Sequence, residues 1–249
     1  MIEVGNVVVI GAGVMGSGIA QTLAVAGCSV WCSDLDEAQL ERASQSVSDG
    51  RYGLSRAVER GHLEAATAEA AIARLVFVSD AKPALADAQL LIEAVPEDLA
   101  AKQRLFWECD KTAPPRAIFA TNTSGLSVAT IASATSRPER CIGWHWASPA
   151  QIMALAEIVV TEATERAVVD AVVDLASRCG KNPVVVKDNP ETWGHVGNRI
   201  YAAAIAEAAK VVEEGLTDAQ GVDQIMMDAF RWPAGPFGMV TGAREGWGS

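Results

Sequence analysis

The sequence predicts an α/β protein, a doubly wound and mostly parallel sheet followed by a second, smaller all-α domain. Three observations carry that prediction. Short β-branched runs alternate with helical stretches between residues 6 and 187. A glycine-rich turn joins the first run to the first helix. After residue 189 the strand signals stop, and helical periodicity runs from Trp193 to Phe230. Alternating strands and helices imply parallel strands covered on both faces. The boundary is placed near Asn189-Pro190, since the residue before a proline is pushed out of helical geometry, which gives domains of 1–189 and 190–249.

The elements follow in order. NVVVIG, GAGVMGSGIAQTLAVAG and SVWCSD read as strand, glycine turn with helix, and strand. Residues 36–74 are helical, with Gly50, Gly53 and Gly61 as interruptions. VFVSD (76–80), LLIEAV (90–95) and AIFATN (117–122) are buried strands, with a helix from Glu97 to Thr112 before the last of them. A short helix at 127–134, strands CIGWH (141–145) and AEIVV (156–160), a helix at 164–179 and a strand at 183–187 complete the first domain.

At 249 residues the chain is long enough to bury a sizeable core. Its formal net charge of −11 opposes approach to phosphate backbones and anionic membranes, so neither nucleic acid nor membrane is an expected partner. The five cysteines, odd in number and without a CxxC pair, are expected as free thiols in a reducing cytoplasm. The start lacks a basic segment leading into a long apolar core, and no apolar run is long enough to span a membrane. A soluble, unexported protein is expected.

The turn G-A-G-V-M-G follows a strand, opens a helix and precedes Asp34 at the end of the second strand. In that context it is the fingerprint of a Rossmann-type dinucleotide site. Gly11 permits the tight turn, Gly13 lets a pyrophosphate approach the backbone, and Gly16 lets helix pack on strand, while the helix N-terminus offers unpaired N–H groups. Gly11, Gly13, Val14, Met15 and Gly16 are the expected cofactor-binding residues. Asp34 can accept from ribose hydroxyls and would repel a 2′-phosphate, so NAD is expected rather than NADP. Capping of the next helix is the plain structural alternative for Asp34.

His145, one of three histidines, stands between Trp144 and Trp146, twelve positions before Glu157. A base paired with a carboxylate and a ring packed in a core are both open on that spacing. His62, in ERGHLE, is expected on a helix facing solvent, and His195, in TWGHVGNR, can line a cleft near the domain junction.

Several blocks together resemble the 3-hydroxyacyl-CoA dehydrogenase family: VVVIGAGVMGSGIAQTLAVAG, LLIEAVPEDLAAKQRLF, TNTSGLSVATIASAT, GWHWASPAQIMALAEIVV, GKNPVVVKD, GNR and WPAGPFGM. The resemblance covers most of the chain and includes relatives that act on free 3-hydroxy acids such as gulonate and carnitine. It implies that His145 is the catalytic base with Glu157 as its partner, and that Ser124 and Asn198 contact the substrate oxygen. It also implies that Glu97, Lys102, Asn122, Ser124 and Ser148 lie toward the nicotinamide end of NAD. No metal ligands are implied. The implied activity is NAD-dependent interconversion of 3-hydroxyacyl and 3-oxoacyl groups, with a free 3-hydroxy acid as the alternative substrate. A non-catalytic NAD-binding or structural protein is the reading from another class.

The chain departs from the family's pattern at Ser148, where an asparagine is usual, and at NPETWGHVGNR, which replaces a proline-glycine entry. Arg51, Arg56 and Arg60 stand where members that use coenzyme A carry basic residues. The helical domain is short for the family, so the readings are a fold completed by homodimerisation or a truncated chain.

Overall fold

The structure, a computed structural model, describes residues 2–244. The chain divides into two compact units, the first ending at His195 and the second beginning at Val196.

The first unit opens with β1 (Asn6–Ile10), α1 (Val14–Val25) and β2 (Ser29–Ser33). The expected long helical stretch is three helices, α2 (Glu37–Asp49), α3 (Leu54–Glu59) and α4 (Ala65–Ala73). They break where the sequence places Gly50, Gly53 and Gly61, and His62 therefore lies exposed in a turn between α3 and α4 rather than on a helix. Next come β3 (Leu75–Val78), a short α5 (Lys82–Leu85), β4 (Leu90–Glu93), α6 (Leu99–Asp110), β5 (Ile118–Thr121) and α7 (Val128–Ala132). The unit ends with β6 (Cys141–Trp146), β7 (Leu155–Val160), α8 (Arg166–Arg178) and β8 (Asn182–Lys187). Side-chain caps begin several helices: Asp36 accepts from Ala38 N at 2.9 Å, Asp98 from Ala101 N at 2.7 Å and Ser127 from Thr130 N at 3.1 Å. Each such cap contributes about 0.5–2 kcal/mol.

The strands form one sheet in the order β3-β2-β1-β4-β5-β6-β7-β8. All neighbours run parallel except β6 and β7, which are antiparallel. The order reverses between β1 and β4, and such a switch point opens a crevice at the carboxyl ends of the strands. Apolar side chains alternate across the sheet as period 2 requires. Val7, Val9, Leu90, Ile92, Ile118, Ala120, Ile142, Trp144 and Trp146 join one core, with α1, α2, α4 and α8. Val8, Leu91, Phe119 and Cys141 join the other, with Leu85, Phe106, Ile131 and Ala132 from α5, α6 and α7. Fully burying a side chain such as Leu, Ile or Phe stabilises by about 1.5–3 kcal/mol, so the two layers together hold the sheet. β8 is an edge strand, with Pro183 and two exposed valines, Val184 and Val185, as suits a position with one unpaired side.

The five cysteines are free, four of them buried and Cys179 half-buried. Burial raises the Cys28 thiol and pushes those of Cys32, Cys109, Cys141 and Cys179 up to about 12, so they behave as small apolar groups. Among the described residues no helix is long and apolar enough to cross a membrane.

The second unit holds α9 (Val196–Glu213), α10 (Ala219–Phe230) and α11 (Pro236–Arg244). Asp223 on α10 accepts from the N–H groups of Phe237 and Gly238, both at 2.8 Å, and so ties down the first turn of α11. That helix lies beyond the periodicity read from the sequence, which ended at Phe230. Its own pattern is masked by Pro236, Gly238 and Gly242.

Candidate functional site

The glycine turn is shaped by two close approaches. Gly11 has φ +100, and a Cβ there would lie 2.5 Å from Ala94 O. A Cβ on Gly16 would lie 1.7 Å from Gly11 O, so the helix packs onto the turn itself. Gly13 precedes α1 without a side-chain cap, and a Cβ there would have nothing within 4 Å. Uncapped N–H groups facing open space suit an anionic ligand. Val14 is 77% exposed and Met15 half-buried. Asp34 does not cap the following helix, a task that falls to Asp36. Instead Asp34 Oδ2 accepts from Ala12 N at 2.9 Å and Oδ1 from Asp36 N at 3.1 Å, fixing the carboxylate beside the turn. Gly11, Gly13, Val14, Met15 and Asp34 line one cavity of about 830 Å³, together with Val95, Pro96 and Arg104. These residues fit a dinucleotide: a backbone cradle for phosphate, a carboxylate just after the next strand in the same cavity, and an apolar cleft.

Further along the same carboxyl edge stand the loops after β4 and β5. Lys102 is 1% exposed, with Nζ 2.5 Å from Glu93 Oε1, 3.2 Å from Val95 O and 3.2 Å from Glu97 Oε2. Glu93 also accepts from Thr121 Oγ1 at 2.6 Å and Val95 N at 2.8 Å. Glu97 accepts from Thr123 Oγ1 at 2.5 Å and from Ser124 N at 2.9 Å. Burial pushes the Glu97 carboxyl up, but the Thr123 hydroxyl, Lys102 and Ser124 N–H outweigh it and hold the group below the usual carboxylate range. The pair for which the resemblance implies a place near the nicotinamide shapes the loop that carries Ser124. Glu93, Thr121 and Thr123 were not singled out in the sequence. The available signal was a glutamate inside the apolar run LLIEAV, because a charge buried in a strand demands a cationic partner.

Asn122 Oδ1 accepts from Trp146 N at 2.9 Å and so joins the ends of β5 and β6. Ser148 is exposed, in the loop after β6, preceding Pro149 through a cis peptide bond. Lys181 Nζ fastens this loop by donating to Ala150 O at 2.6 Å and Met153 O at 2.9 Å.

His145 and Glu157 are directly opposite one another on antiparallel β6 and β7, and Nδ1 lies 2.7 Å from Glu157 Oε2. Directly opposed residues share a face, and alternation along β6 sends Trp144 and Trp146 to the other one. There the two indoles stack at 4.8 Å in the core with α8. The tryptophans that made a packed ring plausible therefore lie across the sheet from the histidine. A carboxylate only accepts, so Nδ1 carries the proton and Nε2 presents a lone pair. The side chains of His145 and Glu157 are 10% and 4% exposed, which leaves the imidazole an opening and its partner none. Asn198 lies in the first turn of α9, in the second unit.

The arginines expected near a coenzyme A phosphate have local partners. Arg56 pairs with Glu59 at 2.7 Å, the Arg51 guanidinium lies 5.3 Å over the Tyr52 ring, and Arg60 donates to Arg51 O at 3.4 Å.

Comparison with known proteins agrees with this architecture. Residues 6–189 match the 3-hydroxyacyl-CoA dehydrogenase NAD-binding domain, and residues 194–244 match the C-terminal domain of the same family. A probable 3-hydroxybutyryl-CoA dehydrogenase of Bacillus subtilis is 35% identical over 96% of this chain and 80% of its own length. The mitochondrial hydroxyacyl-coenzyme A dehydrogenase of Homo sapiens is 32% identical over 96% of this chain and 76% of its own. The crystal structure of (S)-3-hydroxybutyryl-CoA dehydrogenase from Ralstonia eutropha superposes with a TM-score of 0.88 at 32% identity, covering 94% of this chain and 80% of that one. With a nucleotide cradle at the switch point, a buried His–Glu pair at the same sheet edge and both domain models matched in order, the chain belongs to the 3-hydroxyacyl-CoA dehydrogenase family of NAD-dependent oxidoreductases.

Proposed function

We propose that His145 is the general base of this oxidoreductase, and that its substrate is a short-chain 3-hydroxyacyl thioester. The observation that carries the reading is the 2.7 Å contact of His145 Nδ1 with the buried Glu157, which puts the lone pair of the neutral ring on Nε2. In the oxidative direction Nε2 takes the proton of the 3-hydroxyl, and Glu157 stabilises the imidazolium that forms. In the reductive direction the same nitrogen returns the proton to the oxygen. NAD, when bound, supplies the acceptor for the hydride that leaves C3. Ser124, held by Glu97 through its backbone N–H, and Asn198 are assigned as donors to the substrate oxygen, where bonds strengthen as charge builds. Gly11, Gly13, Val14, Met15, Gly16 and Asp34 are assigned to the adenosine diphosphate half of NAD. Glu97, Lys102, Asn122, Ser124 and Ser148 are assigned to the nicotinamide side, Glu97 and Lys102 through the loops they hold.

A free 3-hydroxy acid is the second substrate reading, favoured by the pairing of Arg56 with Glu59, which offsets one of the charges a coenzyme A phosphate would need. We further propose a homodimer acting in cytoplasmic fatty acid metabolism. Support for the dimer comes from the second unit, where Ile200, Leu216, Ile225 and Phe230 are all more than half exposed.

The test is NADH consumption with acetoacetyl-CoA and with free 3-oxo acids side by side. Turnover of the thioester supports the first substrate reading, and turnover of the free acids alone supports the second. NADH binding without turnover on any of them leaves a non-catalytic NAD-binding protein. The variant His145→Gln is expected to retain NADH binding and lose roughly 10²–10⁴-fold in rate, and unchanged turnover removes the base.

A further inference from the structure

His195 has no part in the chemistry described so far, yet it is 7% exposed and its ring lies 5.6 Å from that of His145, centre to centre. Residues 194 and 195 run along the loop that carries Ser124. Gly194 N donates to Gly125 O at 3.1 Å and His195 N to Ser124 O at 3.4 Å, and the His195 ring Nε2 is 3.1 Å from Thr123 O. A carbonyl oxygen only accepts, so this ring nitrogen donates. The two backbones approach so closely that a Cβ on Gly125 would lie 2.4 Å from Gly194 N.

The two peptide groups that flank the Ser124 α-carbon are bonded at all four of their polar atoms. In the first, Thr123 O takes the ring N–H of His195, and Ser124 N donates to Glu97 Oε1 at 2.9 Å. In the second, Ser124 O takes the backbone N–H of His195, and Gly125 N donates to Thr123 Oγ1 at 3.3 Å. Peptide groups are planar, so fixing both planes fixes the two dihedrals between them and with these the direction in which the Ser124 side chain leaves the chain. His195 supplies two of the four bonds. Any residue but proline can supply the backbone one, whereas holding the carbonyl of Thr123, a fully buried residue, takes a side-chain donor of this reach. Burial first, and then His145, hold the ring below the usual imidazole range, against the pull of Glu157, the Thr123 carbonyl and Asp188. At neutral pH the ring is therefore uncharged, and it grips the loop without placing a positive charge beside His145.

We infer that His195 is a positioning residue for the reaction: its ring N–H, with Glu97 on the same loop, sets the aim of the Ser124 hydroxyl at the substrate oxygen. This rests on the reading of Ser124 as a donor to that oxygen. His195 acts through Ser124, so its removal should be felt in the chemical step more than in NADH binding.

The experiment is a double-mutant cycle between His195 and Ser124, read as NADH-dependent reduction of acetoacetyl-CoA and of a free 3-oxo acid. His195→Phe keeps a ring and removes the donor. It is expected to lose roughly tenfold to a hundredfold in kcat, the scale of a misplacement of about 1 Å in a reacting site, with little change in the NADH dissociation constant. His195→Gln, whose amide N–H has similar reach, is expected to recover most of that loss. In a Ser124→Ala background His195→Phe should add little, because the hydroxyl it aims is gone. Parent-like kcat in His195→Phe overturns the inference, and so does a loss that His195→Gln fails to recover, which makes the ring a packing group. Losses that add in the double variant also overturn it, because His195 then acts elsewhere. Where His195→Phe does not fold, His195→Asn, whose amide stops short of Thr123 O, takes its place, and parent-like kcat there overturns the inference equally. Ser124→Ala with parent-like kcat removes Ser124 as a donor, and this inference with it. A parent protein that turns over neither substrate removes the base assignment and this inference together.

Discussion

In the glycine turn, Gly11 and Gly16 touch within a single strand-to-helix connection, and a Cβ on the second would fall 1.7 Å from the first's carbonyl. His145 and Glu157 meet only because β7 runs against β6, a reversal in a sheet whose other neighbours are parallel. The cofactor half of the site is thus a local motif whose demands are steric. The His145–Glu157 half, to which proton transfer is proposed, is assembled from separate strands and demands a face, a register and a partner. Substitutions in the first should be felt as stability and nucleotide affinity, and those in the second as rate.

The largest effect that sharpens this contrast is expected from Gly16→Ala. The added methyl collides with backbone that has no room to move, so a loss of about 4 kcal/mol or more is expected, read as a lowered midpoint of thermal unfolding and weaker NADH binding. A parent-like melting temperature would mean that the turn adapts and the steric account is wrong. Next is Glu157→Gln, which preserves shape and removes the charge beside His145. A hydrogen bond to a charged group contributes about 1.5–3 kcal/mol, so kcat should fall roughly tenfold to a hundredfold with little change in NADH dissociation constant. Equal losses in rate and in cofactor affinity would break the division between the halves.

Asp34→Asn should act the other way, raising the NAD dissociation constant and narrowing the preference for NAD over NADP by about tenfold, one hydrogen bond with its charge. Titration of both nucleotides checks it, and an unchanged ratio would remove Asp34 from ribose recognition. The smallest effect is expected from Glu97→Gln, a residue that bridges the two halves. Its folded-state pKa lies below the ordinary 4.5, so its charge stabilises the native loop above that value and the contribution is lost as pH falls through the lower folded value. The stability gap between parent and variant, measured by denaturation at several pH values, should therefore be present at neutral pH and close in acid. A gap that widens toward acid would contradict the hydrogen-bond network around Thr123 and Ser124.

Legibility in the sequence follows the same division. The glycine turn and Asp34 could be read because their physics lies within a short stretch: a strand, a turn that only glycine can make, and a helix start. The breaks at Gly50 and Gly61 were legible for the same reason. His145 was ambiguous, since its neighbours Trp144 and Trp146 suggested a packed ring until alternation placed them on the opposite face. The cluster of buried Glu93 and Lys102 with the more exposed Glu97 was only half visible. Nothing local says that a lysine nine positions after a strand glutamate folds back to 2.5 Å from it.

The amino-acid sequence by itself determined the alternation of strands and helices, the nucleotide cradle and the acidic residue at its rim, because each depends on neighbours a few positions away. Only the tertiary structure decided which strands became neighbours and which of them ran backward. That decision set the face on which His145 emerges and gave it Glu157. It also brought His195 alongside, from fifty positions further along the chain. Pairing across a sheet is settled by the burial of whole faces, and the energy of that burial is not a property of any one segment.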